Sequence, residues 1–261
     1  MTVIEALILG IIQGLTEFLP ISSSGHIELG NAVMDLDSNL LFTIMVHGAT
    51  ALSTIIIFRK EIWVLIKDVT RFKHNQSTSY IFSLIISMLP IGIVGLLFEE
   101  QIEAFFTGKL MLVGFMLLIT GGLLGLTYYA NNKEGEVTYL KAFIIGLAQT
   151  VAILPGISRS GATISAALLL GMDREKAARF SFLMVLAPIL GGTMLKIIDF
   201  LKNPEIAGDI SATALSVGFM GAFISGLVAC QWMLAIVKKG KLIYFAIYCL
   251  IIGVVAIISS Q

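Results

Sequence analysis

Long apolar runs alternate with short polar breaks along this chain. Six runs, at about 40–58, 80–98, 110–129, 179–200, 212–236 and 242–259, approach the roughly 20 mainly apolar residues that a membrane-spanning helix needs. Four further runs are too short: 2–19 ends at Pro20, 23–35 is interrupted by His26 and Glu28, 141–154 ends at Pro155, and 160–171 ends at Gly171. Proline biases its predecessor away from helix, so Leu19 and Leu154 are the expected ends of two first arms. The serines at Ser22, Ser23 and Ser24, and at Ser158 and Ser160, then supply N-caps for two returning arms. Each pair of short runs therefore reads as a re-entrant hairpin. The pattern predicts an all-α polytopic membrane protein with six transmembrane helices plus two re-entrant helical hairpins, in one integral membrane domain over 1–261.

Composition agrees. Hydrophobic residues make up 57% of the 261 positions and charged residues 13%, where a soluble domain carries about a quarter charged. Formal net charge is zero, so no bulk attraction to nucleic acid is expected, and three His and two Cys form no zinc pattern. Cys230 and Cys249 lie in apolar spans and read as reduced packing residues. The N-terminal MTVIEALILG carries Glu5 and no basic region, so a cleaved signal peptide is not expected.

Charge in the connections sets an expected orientation. Arg59, Lys60, Lys67, Arg71 and Lys73, and the turn with Lys238, Lys239 and Lys241, place their loops in the cytoplasm. The acidic loops with Glu99, Glu100 and Glu103, and with Asp199, Glu205 and Asp209, fall on the opposite side. The first hairpin then inserts from outside and the second, flanked by Arg174, Lys176 and Arg179, from the cytoplasm. The halves, about 1–130 and 141–261, are expected to be inverted repeats, a design transporters also use for mid-membrane substrate sites.

The chemistry sits in the hairpin tips, QGLTEFLPISSSGH from Gln13 to His26 and LPGISRSGAT from Leu154 to Thr163. Polar groups and helix breakers at membrane depth need a protein-lined or wet cavity. Two returning helix N-termini could aim free N–H groups at one anion, and phosphate is the natural guest. Arg159 suits phosphate through bidentate bonding, or instead ties the hairpins together against Glu17. Gly156 and Gly161 would admit the backbone closely, and Ser158, Ser160 and Thr163 would add hydroxyls. Gln13 and Glu17 share a helical face and are hard oxygen ligands for Mg²⁺ or Ca²⁺; Glu17 as a base, or Gln13 as an interhelical hydrogen-bond donor, are the alternatives. His26 follows Gly25 in a first helical turn and could donate or accept a proton, attack phosphorus, or only pack. Of the three serines, Ser22 and Ser24 read as caps and phosphate donors, and Ser23 is the candidate if a covalent serine intermediate forms. His47 reads as packing or support, His74 as a solvated loop residue, and Gly121, Gly125, Gly218 and Gly221 as close-packing positions.

These motifs resemble those of the bacitracin-resistance (BacA/UppP) family of undecaprenyl-diphosphate phosphatases. Gln13 through Glu17, running into Pro20 and Ser22 to His26, is similar to the family's (E/Q)xxxE pattern; Pro155 to Thr163 is similar to its PGxSRSGxT pattern. The resemblance extends over essentially the whole chain, with Gln13 where some members have Glu. It implies a bacterial cytoplasmic-membrane enzyme that hydrolyses undecaprenyl diphosphate to undecaprenyl phosphate and inorganic phosphate, recycling the carrier for peptidoglycan. It implies a divalent cation, commonly Mg²⁺ or Ca²⁺, and essential roles for Glu17, His26 and Arg159, with Ser23 as nucleophile or phosphate ligand. The lipid and the bilayer are the expected partners, a homodimer is carried as an expectation, and the site is expected to face outward. The rival reading from the residues is a transporter or flippase of a phosphate-bearing lipid, for which an acid and a base would be superfluous.

Overall fold

The computed structural model describes residues 1–70, 76–98, 110–130, 134–202 and 210–260. These residues form eleven α-helices and no β-strand: α1 (Val3–Phe18), α2 (Ser23–Met34), α3 (Leu40–Ile57), α4 (Arg59–Val69), α5 (Gln76–Leu97), α6 (Leu110–Leu126), α7 (Tyr139–Val151), α8 (Arg159–Leu169), α9 (Arg174–Lys202), α10 (Ala212–Lys238) and α11 (Ile243–Ser259). By length and composition α3, α5, α9, α10 and α6 extended to Tyr129 can cross a membrane, while α11, at 17 residues, is a shorter apolar helix. This is a multi-pass, all-α membrane protein. Helices α1–α2 and α7–α8 are the two expected hairpins.

Three boundaries differ from expectation. Helix α7 stops at Val151 rather than Leu154, because the amides of Ile153 and Leu154 bond to Thr150 and Val151, winding the chain into a tighter turn before Pro155. Helix α9 starts at Arg174, ahead of the apolar run, because Asp173 Oδ1 accepts from the amides of Glu175 and Lys176, each at 3.0 Å. The basic connection after α3 holds helix α4, whose Ile62 and Leu65 pack against the core while Trp63 and Val64 stay exposed. Arg71, Lys73, His74, Glu99, Glu100, Glu103, Glu205 and Asp209 lie outside the described residues.

Several helix pairings recur along the chain. Helix α1 packs on α10 as α7 packs on α5, α3 packs on α10 as α9 packs on α5, and α6 pairs with α11. Buried Ala6, Leu9, Gly10 and Gln13 of α1 are matched in register by Ala142, Ile145, Gly146 and Gln149 of α7. A side chain at Gly10 would meet the Gly218 carbonyl, and one at Gly146 the Ser87 carbonyl, so both first arms sit backbone to backbone on their neighbours. Gly121 packs on the Leu250 side chain and the Ala246 carbonyl, but Gly125, expected at a close contact, faces open space. Cys230 and Cys249 are free and buried, as expected.

The contacts also fix direction. Gly10 meets Gly218 and Gly14 meets Ala222 and Gly226, so α1 and α10 run parallel. Tyr139 accepts from Ser79 at 3.2 Å, and Gly146 meets Ser87, so α7 and α5 are parallel too. Lys238, ending α10, pairs with Glu175 at 2.9 Å; Arg179 of α9 pairs with Glu175 and with Glu61 of α4; Ser77 of α5 donates to Asp68 of α4 at 2.5 Å. The end of α10 and the starts of α5, α7 and α9 therefore share one charged face. Helix α7 enters from that face and α1 from the opposite one, so the tips meet inside.

Candidate active site

Each tip is built by local backbone chemistry. Leu19 is extended (φ −68°, ψ 141°), as a residue before proline should be. Ser22 caps α2 by accepting from Gly25 N at 3.3 Å, and does so at φ 70°, a left-handed conformation that a non-glycine residue holds only under constraint. Ser158 caps α8, accepting from Gly161 N at 3.0 Å. Gly156 has φ +95°, and a Cβ there would lie 2.6 Å from the Val113 carbonyl, so no other residue fits the turn.

The tips touch. Ser160 Oγ donates to the Leu19 carbonyl at 3.3 Å. A Cβ on Gly25 would stand 3.4 Å from Gly156 Cα, and one on Gly161 the same distance from Pro20 Cβ. Thr120 of α6 pins the second tip by accepting from Ser158 N at 3.1 Å, with the Gly156 carbonyl 3.2 Å away. Two helix N-termini thus lie side by side, the arrangement that attracts an anion.

Glu17 is the hub. Its side chain is 6% exposed and that of Arg159 25%, and the two pair at 3.0 Å through Glu17 Oε1 and Arg159 Nη2. The other carboxylate oxygen accepts from Ser23 Oγ at 2.5 Å and from Gln13 Nε2 at 3.0 Å. Four of the residues singled out in sequence, Gln13, Glu17, Ser23 and Arg159, are therefore one hydrogen-bonded group. Gln13 Oε1 is buried with no partner among the described residues. Ser24 Oγ lies 3.3 Å from Ser22 Oγ, and Ser158 Oγ 3.2 Å from Ser160 Oγ. Thr163 Oγ1 donates back to the Arg159 carbonyl at 2.9 Å, which holds the turn carrying the arginine.

His26 stands apart from that group, facing α11. Its Nδ1 is 2.8 Å from the Ser22 carbonyl, and a carbonyl can only accept, so Nδ1 carries the hydrogen. In the neutral ring Nε2 is then an acceptor, and it receives the Tyr248 hydroxyl at 2.8 Å. His26 and Tyr248 also line an apolar groove of about 690 Å³ between α1, α2, α10 and α11, walled by residues such as Ile8, Ile12, Leu29, Trp232 and Tyr244.

Sequence reasoning missed Thr120 and Tyr248, which lie on distant helices without a local motif. It ranked His47 as support. The structure places His47 within electrostatic reach of both Glu17 and Arg159, its Nδ1 donating to the Thr43 carbonyl at 2.9 Å. Among the described residues no group of three or more His, Cys, Asp or Glu could hold a metal ion. Any cation here would rest on few protein ligands.

Residues 6–255 match the sequence profile of a family described as bacitracin resistance protein BacA. An undecaprenyl-diphosphatase of Bacteroides fragilis is 55% identical over 260 residues, 98% of each chain. One of Bacteroides thetaiotaomicron is 52% identical over the full length of both chains, and the undecaprenyl-diphosphatase 2 of Bacillus thuringiensis is 40% identical over 98% of this chain and 97% of its own. With a match that runs through both hairpins and nearly every helix, the chain belongs to the bacitracin resistance protein BacA family.

Proposed function

We propose that this protein hydrolyses undecaprenyl diphosphate to undecaprenyl phosphate and inorganic phosphate where the two hairpin tips meet. The observation that carries the reading is the buried Glu17 group: a carboxylate bonded at once to a hydroxyl and to a guanidinium, beside two helix N-termini. A phosphate-binding protein needs the donors. Only bond-breaking needs a base already holding a hydroxyl proton.

In the proposed reaction an oxygen nucleophile bonds to the terminal phosphorus, and the bond from that phosphorus to the bridging oxygen breaks. The bridging electrons leave with undecaprenyl phosphate. The nucleophile is water directly, or Ser23 Oγ followed by water on the phosphoserine. Glu17 is the base in either route, and the 2.5 Å contact makes the Ser23 proton the nearest one to it. Arg159 and the first turns of α2 and α8 hold the phosphate oxygens as charge develops, usually the largest catalytic contribution. His26, bordering the groove, stands on the lipid side of the diphosphate, where the bridging oxygen departs.

The groove is the place for the prenyl chain. It is apolar, and His26 belongs both to it and to the hairpin tip. The lipid tail would stay among α1, α2, α10 and α11 while only the diphosphate reaches the polar tips.

A divalent cation would be held by Glu17 and by Gln13 Oε1, the buried oxygen without a partner. One carboxylate and one amide oxygen suit an ion that keeps several waters and takes the rest of its shell from substrate phosphate, as Mg²⁺ does. Bound there, it would neutralise phosphate charge. We further propose that the charged face is cytoplasmic, that the first hairpin inserts from outside so that the site serves the outer leaflet, and that 1–130 and 141–261 are inverted repeats in a bacterial cytoplasmic membrane.

Phosphate release from undecaprenyl diphosphate by the purified protein in detergent, with and without chelator, tests the reading. Release that is lost on chelation and lowered about a hundredfold or more in His26→Ala is expected. Well-folded, substrate-binding protein that releases no phosphate would instead favour transport of a phosphate-bearing lipid.

A further inference from the structure

We propose that Tyr248 is a positioning residue of the diphosphatase site, setting the His26 ring at the mouth of the lipid groove through its hydrogen bond to Nε2. The inference rests on the functional reading above, and it gives α11 a direct hold on His26 of the first hairpin.

Two anchors hold the imidazole. The Ser22 carbonyl takes Nδ1–H at 2.8 Å, and the Tyr248 hydroxyl lies 2.8 Å from Nε2. The rings are nearly parallel, 13° apart with centroids separated by 5.6 Å. Rotating the imidazole would break both bonds. The Ser22 anchor sits in a residue held at φ 70°, so the first hairpin alone presents His26 through a constrained turn. Tyr248 supplies the second support from outside the hairpin, on a helix whose Cys249 lies against the Pro20 carbonyl of the same tip at 3.7 Å.

The phenol has a second consequence. Because it donates to Nε2, it occupies the nitrogen that faces the groove in the resting protein. A substrate oxygen that takes the place of the Tyr248 hydroxyl can only accept, so Nε2 first gains a proton from solvent, on a ring already oriented. A proton moved by His26 passes through Nε2, since Nδ1 is committed to the backbone. Tyr248 transfers none itself in this scheme.

Tyr248→Phe keeps the ring and the groove wall and removes only the hydroxyl. The expected result is a kcat lowered by about tenfold, a fraction of the hundredfold or more that a general acid or base contributes, with KM for undecaprenyl diphosphate within about twofold of wild type. In a His26→Ala background the same change should cost nothing further. Long-range ¹H–¹⁵N spectra of His26 in detergent should show the Nδ1–H tautomer in both proteins, with the Nε2 resonance of Tyr248→Phe moved downfield toward that of a ring nitrogen accepting no hydrogen bond. Wild-type kcat in Tyr248→Phe, an effect on KM alone, or an equal loss with and without His26 would overturn the proposal. The spectrum does not depend on turnover. A wild type without phosphatase activity would thus defeat the functional reading, whereas an unchanged Nε2 resonance in the variant would defeat the positioning role itself.

Discussion

Removing Arg159 should destabilise as well as inactivate the protein, and the two effects can be separated. Arg159→Gln leaves the Glu17 carboxylate, only 6% exposed, without the guanidinium 3.0 Å away. Breaking a buried pair by deleting one partner costs about 3–5 kcal/mol, because the remaining charge stays desolvated. The hydrogen bonds from Ser23 and Gln13 persist, so the lower end, about 3 kcal/mol, is expected. For a chain of this size that corresponds to a fall in Tm of about 6–12 °C. Adding Glu17→Gln removes the stranded charge and should recover most of the loss while activity stays absent. Arg159→Lys keeps the charge but not the planar fork. It should hold Tm within a few degrees and lower kcat/KM by about 10²–10³, the scale of one preorganised donor lost from a transition state. Thermal unfolding in detergent and phosphate release measure the two quantities. A double variant no more stable than Arg159→Gln, or Arg159→Lys with wild-type kcat/KM, would refute the argument.

Three other outcomes are expected. Gly10→Leu drives a side chain into the Gly218 carbonyl and should cost at least about 1–3 kcal/mol of overpacking, whereas Gly125→Leu, in open space, should be nearly neutral; equal unfolding temperatures would contradict the close approach of α1 and α10. Gln13→Glu adds a carboxylate where the partnerless amide oxygen sits, so the midpoint for cation activation should move to about tenfold lower concentration, and an unmoved midpoint would remove Gln13 from the cation shell. With the charged face inside, a membrane-impermeant thiol reagent applied to intact cells should label Lys202→Cys and not Lys239→Cys; the reverse labelling would invert the proposed orientation.

The hairpins were legible because proline and serine act on the backbone locally. Leu19 ends α1 and Ser22 and Ser158 cap α2 and α8, each through contacts within a few residues. Residue spacing also placed Gln13 and Glu17 on one face of α1. Leu154 failed as a helix end because a 3₁₀-like turn costs little and the apolar sequence does not mark it. Helix α4 was hidden by its charges: Arg59, Lys60 and Lys67 read as a loop, although Ile62 and Leu65 repeat at helical spacing. The partners of the site were the least legible part. Thr120, His47 and Tyr248 come from α6, α3 and α11, and only tertiary packing brings them to the hairpin tips. No short motif could announce them.

The same packing bears on whether the site moves. In a rocking-type inverted-repeat transporter one repeat swings against the other, so the interface between them must yield. Here the principal interfaces run between the proposed halves: α1 on α10, α5 on α7, α6 on α11, and α3 on both α9 and α10. Gly10 and Gly146 lie against backbone carbonyls, leaving no layer of side chains to slide. Swinging one half would open most of the buried structure together. A site fixed between interlaced halves suits hydrolysis of a lipid that arrives laterally through the groove, with no change of access. Glu61 of α4 and Arg179 of α9, an ion pair that joins the two halves, provide the test. Both are replaced by Cys and bridged with a short bismaleimide, which the buried Cys230 and Cys249 should not consume. The cross-linked protein should release phosphate in detergent at a rate within about twofold of the uncross-linked variant, since the chemistry asks for preorganisation rather than rocking. Arrest on cross-linking, reversed with a cleavable linker, would show that the halves must move in each cycle and would overturn the fixed-site argument.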